Sequence, residues 1–133
     1  MIVLDTHILL WWVNGGDELS KAAKRAIDQE RKAKDGALLV SSISAWEIAM
    51  LVQHERLALS TDIEAWLQTV AQIEEVRFVP VDNAVALRSN SLPDVFHKDP
   101  ADRIIVATAR VLSVPLVTAD ERIRKYEHVK TIW

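Results

Sequence analysis

The sequence contains no cysteine, and this absence excludes both a disulfide framework and any metal site built on thiolates. A long hydrophobic run is also missing, because the longest, Ile8–Val13, is far too short to cross a bilayer. No basic segment accompanies the apolar Ile2–Leu4, so we expect no signal peptide, no membrane anchor and a cytoplasmic protein. Positive charge is not in excess either. The net charge is -3, so any binding to nucleic acid requires a local basic surface.

The remaining composition is that of a globular domain. The chain has 133 residues, of which 50% are hydrophobic and 26% are charged, which is enough for a sizeable core. No linker, repeat or low-complexity segment interrupts it. We therefore expect residues 1–133 to form a single domain.

Short apolar runs alternate with helical segments along the chain. The predicted strands are Ile2–Leu4, Ala37–Val40, Val76–Pro80, Val114–Thr118 and Val129–Trp133. The predicted helices are Thr6–Val13, Ser20–Ala33, one opened by a capping box at Ser44–Glu47, one opened by a capping box at Thr61–Glu64, Asn83–Asn90, Pro100–Ser113 and Glu121–Glu127. This alternation is typical of a parallel central sheet flanked by helices, so the predicted fold class is a three-layer α/β domain.

Acidic residues are predicted to collect at one edge of this sheet. Asp5 and Asp120 follow two of the buried strands, and Glu47 and Asp102 lie in the first turns of two helices that start there. Because ligands bind beyond the carboxyl ends of the strands in open α/β sheets, we expect these four carboxylates to share one rim. Each also has a purely local explanation, since helix starts favour acidic caps and first-turn acids. Asp99, which precedes Pro100, is predicted to be such a cap.

A rim of four acids predicts a particular chemistry. Crowded carboxylates raise one another's pKa unless a cation lies between them. Oxygen ligands without histidine or cysteine favour Mg²⁺ or Mn²⁺ over zinc. Such an ion bridges phosphate oxygens and activates a water molecule, so the pattern indicates phosphodiester hydrolysis.

Four segments, in this order, resemble the motifs of the PIN domain family: Leu4–Thr6, Ser44–Glu47, His97–Arg103 and Val117–Asp120. The resemblance spans nearly the whole chain and is closest to the small VapC-type toxins of bacterial toxin–antitoxin pairs. It implies an endoribonuclease that depends on Mg²⁺ or Mn²⁺ and cuts RNA. Asp5, Glu47, Asp102 and Asp120 would be the metal-binding and catalytic acids.

The resemblance also implies supporting residues and partners. Thr118 would support the site through its hydroxyl, Thr6 would be a further supporting residue, and Asp99 would support the metal ligands or cap a helix. Arg103 would pair with a site carboxylate or a substrate phosphate, or simply lie at the surface. The implied partners are a second copy of the chain in a homodimer and a small antitoxin that occludes the cleft.

Other interpretations stay open at this stage. His7 and His97 would allow acid–base cleavage of RNA without a metal, although this leaves the four acids unexplained. The chain could be another metal-dependent phosphohydrolase, but the dehalogenase-like phosphatases require a second aspartate where His7 stands. A non-catalytic PIN-like module that binds RNA or a partner is the third alternative. It would not need four intact acids.

Two further expectations concern the core and the surface. The tryptophans are expected in the core rather than as platforms for nucleic-acid bases: Trp11, Trp12, Trp46 and Trp66. The basic residues of the second helix are expected to form a solvated face: Lys21, Lys24, Arg25 and Lys32.

Overall fold

A sheet of five parallel strands forms the centre of the computed structural model, which describes all residues 1–133. The strands are β1 (Ile2–Leu4), β2 (Leu38–Ser41), β3 (Val76–Val79), β4 (Leu116–Val117) and β5 (Thr131–Ile132). Their order across the sheet is β3-β2-β1-β4-β5. The predicted α/β class with a parallel sheet is therefore confirmed.

Seven helices connect the strands. They are α1 (Thr6–Asn14), α2 (Lys21–Lys32), α3 (Ser42–Gln53), α4 (Ile63–Ala71), α5 (Asn83–Asn90), α6 (Pro100–Leu112) and α7 (Glu121–Arg124). Each predicted helix is present, although α7 ends at Arg124 rather than at Glu127. None of the seven combines the length and the apolar character that a membrane span requires.

The core lies in two clusters, one on each face of the sheet. Successive side chains of a strand point to opposite faces, so Ile2 and Leu4 belong to one cluster and Val3 belongs to the other. The first cluster also contains Ile8, Ile27, Ile48 and Val70, which come from α1 to α4. The second contains Val85, Ile105 and Ile123, which come from α5 to α7. The three layers predicted from the sequence are thus confirmed.

The strand order places a crevice between β1 and β4. The chain adds β2 and β3 on one side of β1, whereas β4 and β5 lie on the other. After β1 it enters α1 on one face, and after β4 it enters α7 on the opposite face. The carboxyl ends of two such neighbouring strands are where ligands bind in sheets of this kind.

Two helix starts differ from the predicted capping boxes. Helix α3 is capped by Ser41, whose Oγ accepts the N–H of Ile43 at 3.2 Å, so the predicted cap at Ser44 is wrong. The strand β2 runs directly into α3, and Ser41 ends the strand and caps the helix. Helix α4 is capped by Asp62 rather than by Thr61. Aspartate is the stronger N-cap of these two residue types.

Helix α3 buries only one narrow face. Ser44 and Ile48 face the core, whereas Ala49 is exposed. Trp46 lies on the side of the helix opposite to this face and is 54% exposed, so its predicted burial is wrong. The other three tryptophans are buried or half-buried as expected: Trp66, Trp11 and Trp12. The basic residues of α2 are exposed, which confirms the solvated face.

Candidate functional site

Five carboxylates line one cavity of about 410 Å³ at the carboxyl end of the sheet, which we call the acid cavity. They are Asp5, Glu47, Asp99, Asp102 and Asp120. The other lining residues are His7, Trp11, Ala119 and Arg122. The four acids that the sequence pointed to therefore meet in space, although each comes from a different element. Their role as metal ligands stays a prediction.

Helix caps fix three of these acids in place. The N–H groups of Thr6, Arg122 and Asp102 donate to Asp5, Asp120 and Asp99 at 2.8, 2.8 and 3.0 Å, respectively. Asp99 is the N-cap of α6, as predicted, and Pro100 is the first residue of the helix. A cap occupies only one carboxylate oxygen, so capping a helix and lining the cavity are compatible.

The hydroxyl of Thr118 joins the acids that follow β1 and β4. Its Oγ1 donates to Asp5 Oδ2 at 2.7 Å and accepts the N–H of Asp120 at 3.1 Å. Thr118 is fully buried, so neither of its partners can be replaced by bulk water. The orientation of Asp5 is therefore set from both sides, by Thr6 and by Thr118.

A second chain of hydroxyls orients Glu47. Thr6 Oγ1 donates to Glu47 Oε1 at 2.6 Å and lies 2.8 Å from Ser44 Oγ. Because Thr6 has a single hydroxyl proton, Ser44 donates to Thr6. Since α3 begins at Ser42, Glu47 lies in its second turn and not in the predicted first turn. Ser44 was missed as a site residue because the capping-box pattern assigned its hydroxyl to the backbone.

The opposite side of the acid cavity is contacted by a guanidinium and an imidazole. Arg122 Nη2 lies 3.1 Å from Asp120 Oδ2 and 3.5 Å from Asp102 Oδ2. His97 Nε2 lies 3.2 Å from the same Asp102 oxygen, without hydrogen-bond geometry. The side chain of Arg122 is 60% exposed, so it reaches the acids from solvent. No local pattern in the sequence marks this contact, because Arg122 belongs to a short charged helix.

Burial and mutual repulsion alter the protonation of the acids. Burial, together with the negative charges of Asp5 and Asp99, raises the pKa of Asp102 to about 7. Burial also raises the pKa of Asp5 and of Glu47 above their usual range, against the hydrogen bonds that they accept. Carboxylates in this condition favour a cation between them.

Asp120 and His97 respond to Arg122. Burial acts to raise the pKa of Asp120, but the hydrogen bonds and the charge of Arg122 outweigh it, so the pKa is lowered. Burial lowers the pKa of His97, and the charge of Arg122 adds to this effect. Near neutral pH this side of the cavity therefore combines an ionised acid with a neutral imidazole.

The donor set fits a hard divalent cation, although the side chains do not enclose one. As placed, no three acidic or histidine side chains stand close enough together to hold an ion by themselves. Mg²⁺ keeps several of its waters in proteins and binds through one or two carboxylates together with substrate phosphates. An open set of oxygen ligands is compatible with that mode of binding.

Arg103 does not belong to the acid cavity, and its predicted pairing with a site carboxylate is wrong. Its guanidinium donates to the carbonyls of Ser89, Phe96 and His97 at 2.9, 3.1 and 3.3 Å. The last carbonyls of a helix have no partner within the helix, and Arg103 supplies one near the end of α5. Its role is to join α6 to α5 and to the loop that follows.

Comparison with known proteins agrees with this architecture. Residues 2–129 match the PIN domain family. The chain is 39% identical to Ribonuclease VapC22 from Mycobacterium tuberculosis, over 99% of this chain and 98% of that protein.

Solved structures share the fold. A toxin–antitoxin complex from Klebsiella pneumoniae contains a chain with a TM-score of 0.65 and 20% identity, covering 97% of this chain and 95% of that one. A chain of VapBC2 from Rickettsia felis, solved with a DNA fragment from its promoter, has a TM-score of 0.67 and 14% identity, with 98% and 97% covered. With the family match and the VapC22 relationship, these findings show that the chain belongs to the PIN domain family, as a protein of the VapC type.

Proposed function

We propose that this protein is an endoribonuclease that hydrolyses RNA phosphodiester bonds in the acid cavity with the help of Mg²⁺ or Mn²⁺. The observation that carries the proposal is the convergence of Asp5, Glu47, Asp102 and Asp120 from four separate elements on one cavity. The pKa of three of these acids is raised above its usual value, mainly by burial. The relative VapC22 is named a ribonuclease, which supports this reaction class.

Each side chain has a distinct part in this mechanism. A bound cation supplies Lewis acidity toward the phosphate and lowers the pKa of a water molecule. Asp5 and Glu47, oriented by Thr118 and Thr6, present fixed oxygens. Asp102, whose pKa burial raises to about 7, gives up its proton when a cation arrives. Arg122, which is mostly exposed, offers a charged donor to a phosphate oxygen at the edge of the cavity.

The proposal includes a biological setting. We infer that the protein is the toxin of a toxin–antitoxin pair, forms a homodimer and acts in the cytoplasm, where its RNA substrate is found. The fold shared with a chain of a toxin–antitoxin complex supports an antitoxin as partner. An antitoxin segment that covers the acid cavity would inhibit the enzyme by excluding RNA.

Cleavage of a defined single-stranded RNA tests the proposal. We expect cleavage with Mg²⁺ or Mn²⁺ and none with EDTA. Asp5→Asn should lower the rate by at least about 100-fold, because even residues that only orient metal ligands have effects of this size. The matched control is Asp82→Asn, which changes an acid that caps α5 outside the cavity and leaves a good cap in place.

Two results would contradict the proposal. Cleavage that persists in EDTA would favour the acid–base mechanism through His7 and His97. Full activity of Asp5→Asn would remove the acid cavity from the reaction.

A further inference from the structure

A groove next to the acid cavity carries an exposed tryptophan. This tryptophan groove has a volume of about 220 Å³ and is lined by Trp46, Met50, Leu51, His54, Arg56, Pro100 and Ala101. Glu47 and Asp99 line both the tryptophan groove and the acid cavity. The groove and the cavity are therefore immediate neighbours, with Glu47 and Asp99 at their common border.

Trp46 is not needed by the core of the protein. Its side chain is 54% exposed, whereas Trp66 on the next helix is 6% exposed. Met50 lies one helical turn after Trp46 on the same side of α3, where it lines the groove beside the indole. The indole thus offers a flat apolar surface immediately next to Glu47.

We propose that Trp46 stacks on one unpaired base of the RNA substrate, next to the phosphate that is held at the acid cavity. This inference rests on the proposed function. Aromatic side chains bind single-stranded nucleic acid by stacking, and this interaction tolerates any base because every base has a π-face. Trp46 would therefore position the strand without dictating its sequence.

The size of the tryptophan groove and the arginine in its lining are compatible with a nucleotide as its occupant. Its volume of about 220 Å³ is below the range of about 300–1,000 Å³ that is typical of pockets for drug-sized ligands, and suits one flat ring system. Glu47 and Asp99 mark the end that joins the cavity, and Arg56 supplies an exposed positive charge to the groove. A strand laid along the groove would place one phosphate at the cavity and direct the next toward Arg56.

Binding of RNA to a cleavage-deficient protein tests the role of Trp46. Fluorescence anisotropy of a labelled single-stranded RNA gives the Kd in an Asp5→Asn background. Trp46→Ala should weaken binding by roughly 5- to 100-fold, and Trp46→Phe should retain most of the affinity. Leu87→Ala is the matched control, because Leu87 is also apolar and 71% exposed but lies outside both sites.

Abasic substitution separates stacking from a structural effect. A single abasic nucleotide is moved along the RNA, and binding is measured with Trp46 and with Trp46→Ala. Stacking predicts one position where the missing base weakens binding to the protein with Trp46 but not to the variant, as in a double-mutant cycle. If no position shows this coupling, the proposal is overturned even when Trp46→Ala binds weakly.

The other outcomes are equally decisive. Equal binding by Trp46 and Trp46→Ala proteins overturns the inference and leaves the proposed function intact. Absence of RNA binding and of cleavage by the wild-type protein overturns both. If Trp46→Ala binds RNA normally but changes the oligomeric state measured by light scattering, the groove instead binds a second copy of this chain. Normal RNA binding with loss of antitoxin binding assigns it to the antitoxin.

Discussion

The acids on the two sides of the cavity are held by different kinds of partner. Asp5 and Glu47 accept hydrogen bonds from the hydroxyls of Thr118 and Thr6, which are buried. Asp102 and Asp120 instead face the exposed guanidinium of Arg122. We call these the hydroxyl side and the arginine side of the acid cavity.

The two sides therefore differ in kind. The hydroxyl side has a fixed geometry, whereas the arginine side carries a positive charge that can move. A buried hydroxyl orients a carboxylate without bringing a positive charge to it, so the acids of the hydroxyl side are held in a set position. The arginine neutralises the charge beside it, but it is exposed and can move away. A cation or a phosphate that enters the cavity thus meets a rigid side and an adaptable side.

Removing a hydroxyl tests the rigid side and should have the largest effect. Thr118→Val leaves Asp5 Oδ2 without its donor and the N–H of Asp120 without its acceptor. We expect the RNA cleavage rate to fall between about 10- and 100-fold, the size found when groups that orient metal ligands are removed. Thr108→Val is the control, since this buried hydroxyl bonds only to Ile104 within α6. A folded Thr118→Val protein with the wild-type rate would show that the hydroxyl does not orient the site.

The free energy of unfolding of the metal-free protein should depend on pH. This dependence tests the repulsion between the carboxylates that the charge of Arg122 must balance. Burial raises the pKa of Asp102 to about 7 from an ordinary 3.8, so the native state favours its protonated form. Its contribution to stability is complete below about pH 4 and is lost as the pH rises to about 7. The loss should be on the order of 1–2 kcal/mol, less than the full shift implies because some solvent reaches the carboxyl.

Urea unfolding in EDTA at several pH values measures this loss. Asp102→Asn cannot ionise at this position, so its stability should decline less over the same range. The control is Asp62→Asn, at an exposed acid that caps α4. Identical pH slopes for Asp102→Asn and the wild type would contradict the prediction.

Removing the arginine should have the smallest effect. Arg122→Gln takes a positive charge away from Asp102 and Asp120, so the affinity for Mn²⁺ should rise by about two- to fivefold, in line with an exposed ion pair. Isothermal titration calorimetry without RNA measures this affinity. Arg124→Gln, at an exposed arginine of α7 that does not line the cavity, is the control. A lower affinity in Arg122→Gln would mean that the arginine orients the acids rather than competing with the ion.

The convergence of the acids was predictable because it follows from short segments. Asp5 directly follows β1, Asp120 lies shortly after β4, and the pair Asp99-Pro100 is typical of a helix start. In a parallel sheet these ends fall on the same edge. Thus a local pattern together with one rule of topology was enough to place the acids in one cavity.

The contacts between segments were not predictable in the same way. Ser41 and Ser44 are both acceptable N-caps, and only the length of β2 decides between them. The exposure of Trp46 likewise depends on which side of α3 the rest of the folded chain covers. The pairings of Arg103 and Arg122 depend on which carbonyls and carboxylates the folded chain leaves without partners, and the sequence does not show this.

The hydrogen bond between Thr118 and Asp5 joins residues that are 113 positions apart. The central strand β1 precedes the other four strands in the chain, yet its neighbour β4 comes fourth. While a ribosome still holds β4, the nascent polypeptide has neither Thr118 nor Asp120 in place. Under the proposed function, the nascent chain therefore stays inert until the segment that carries Thr118 and Asp120 has been made and has folded.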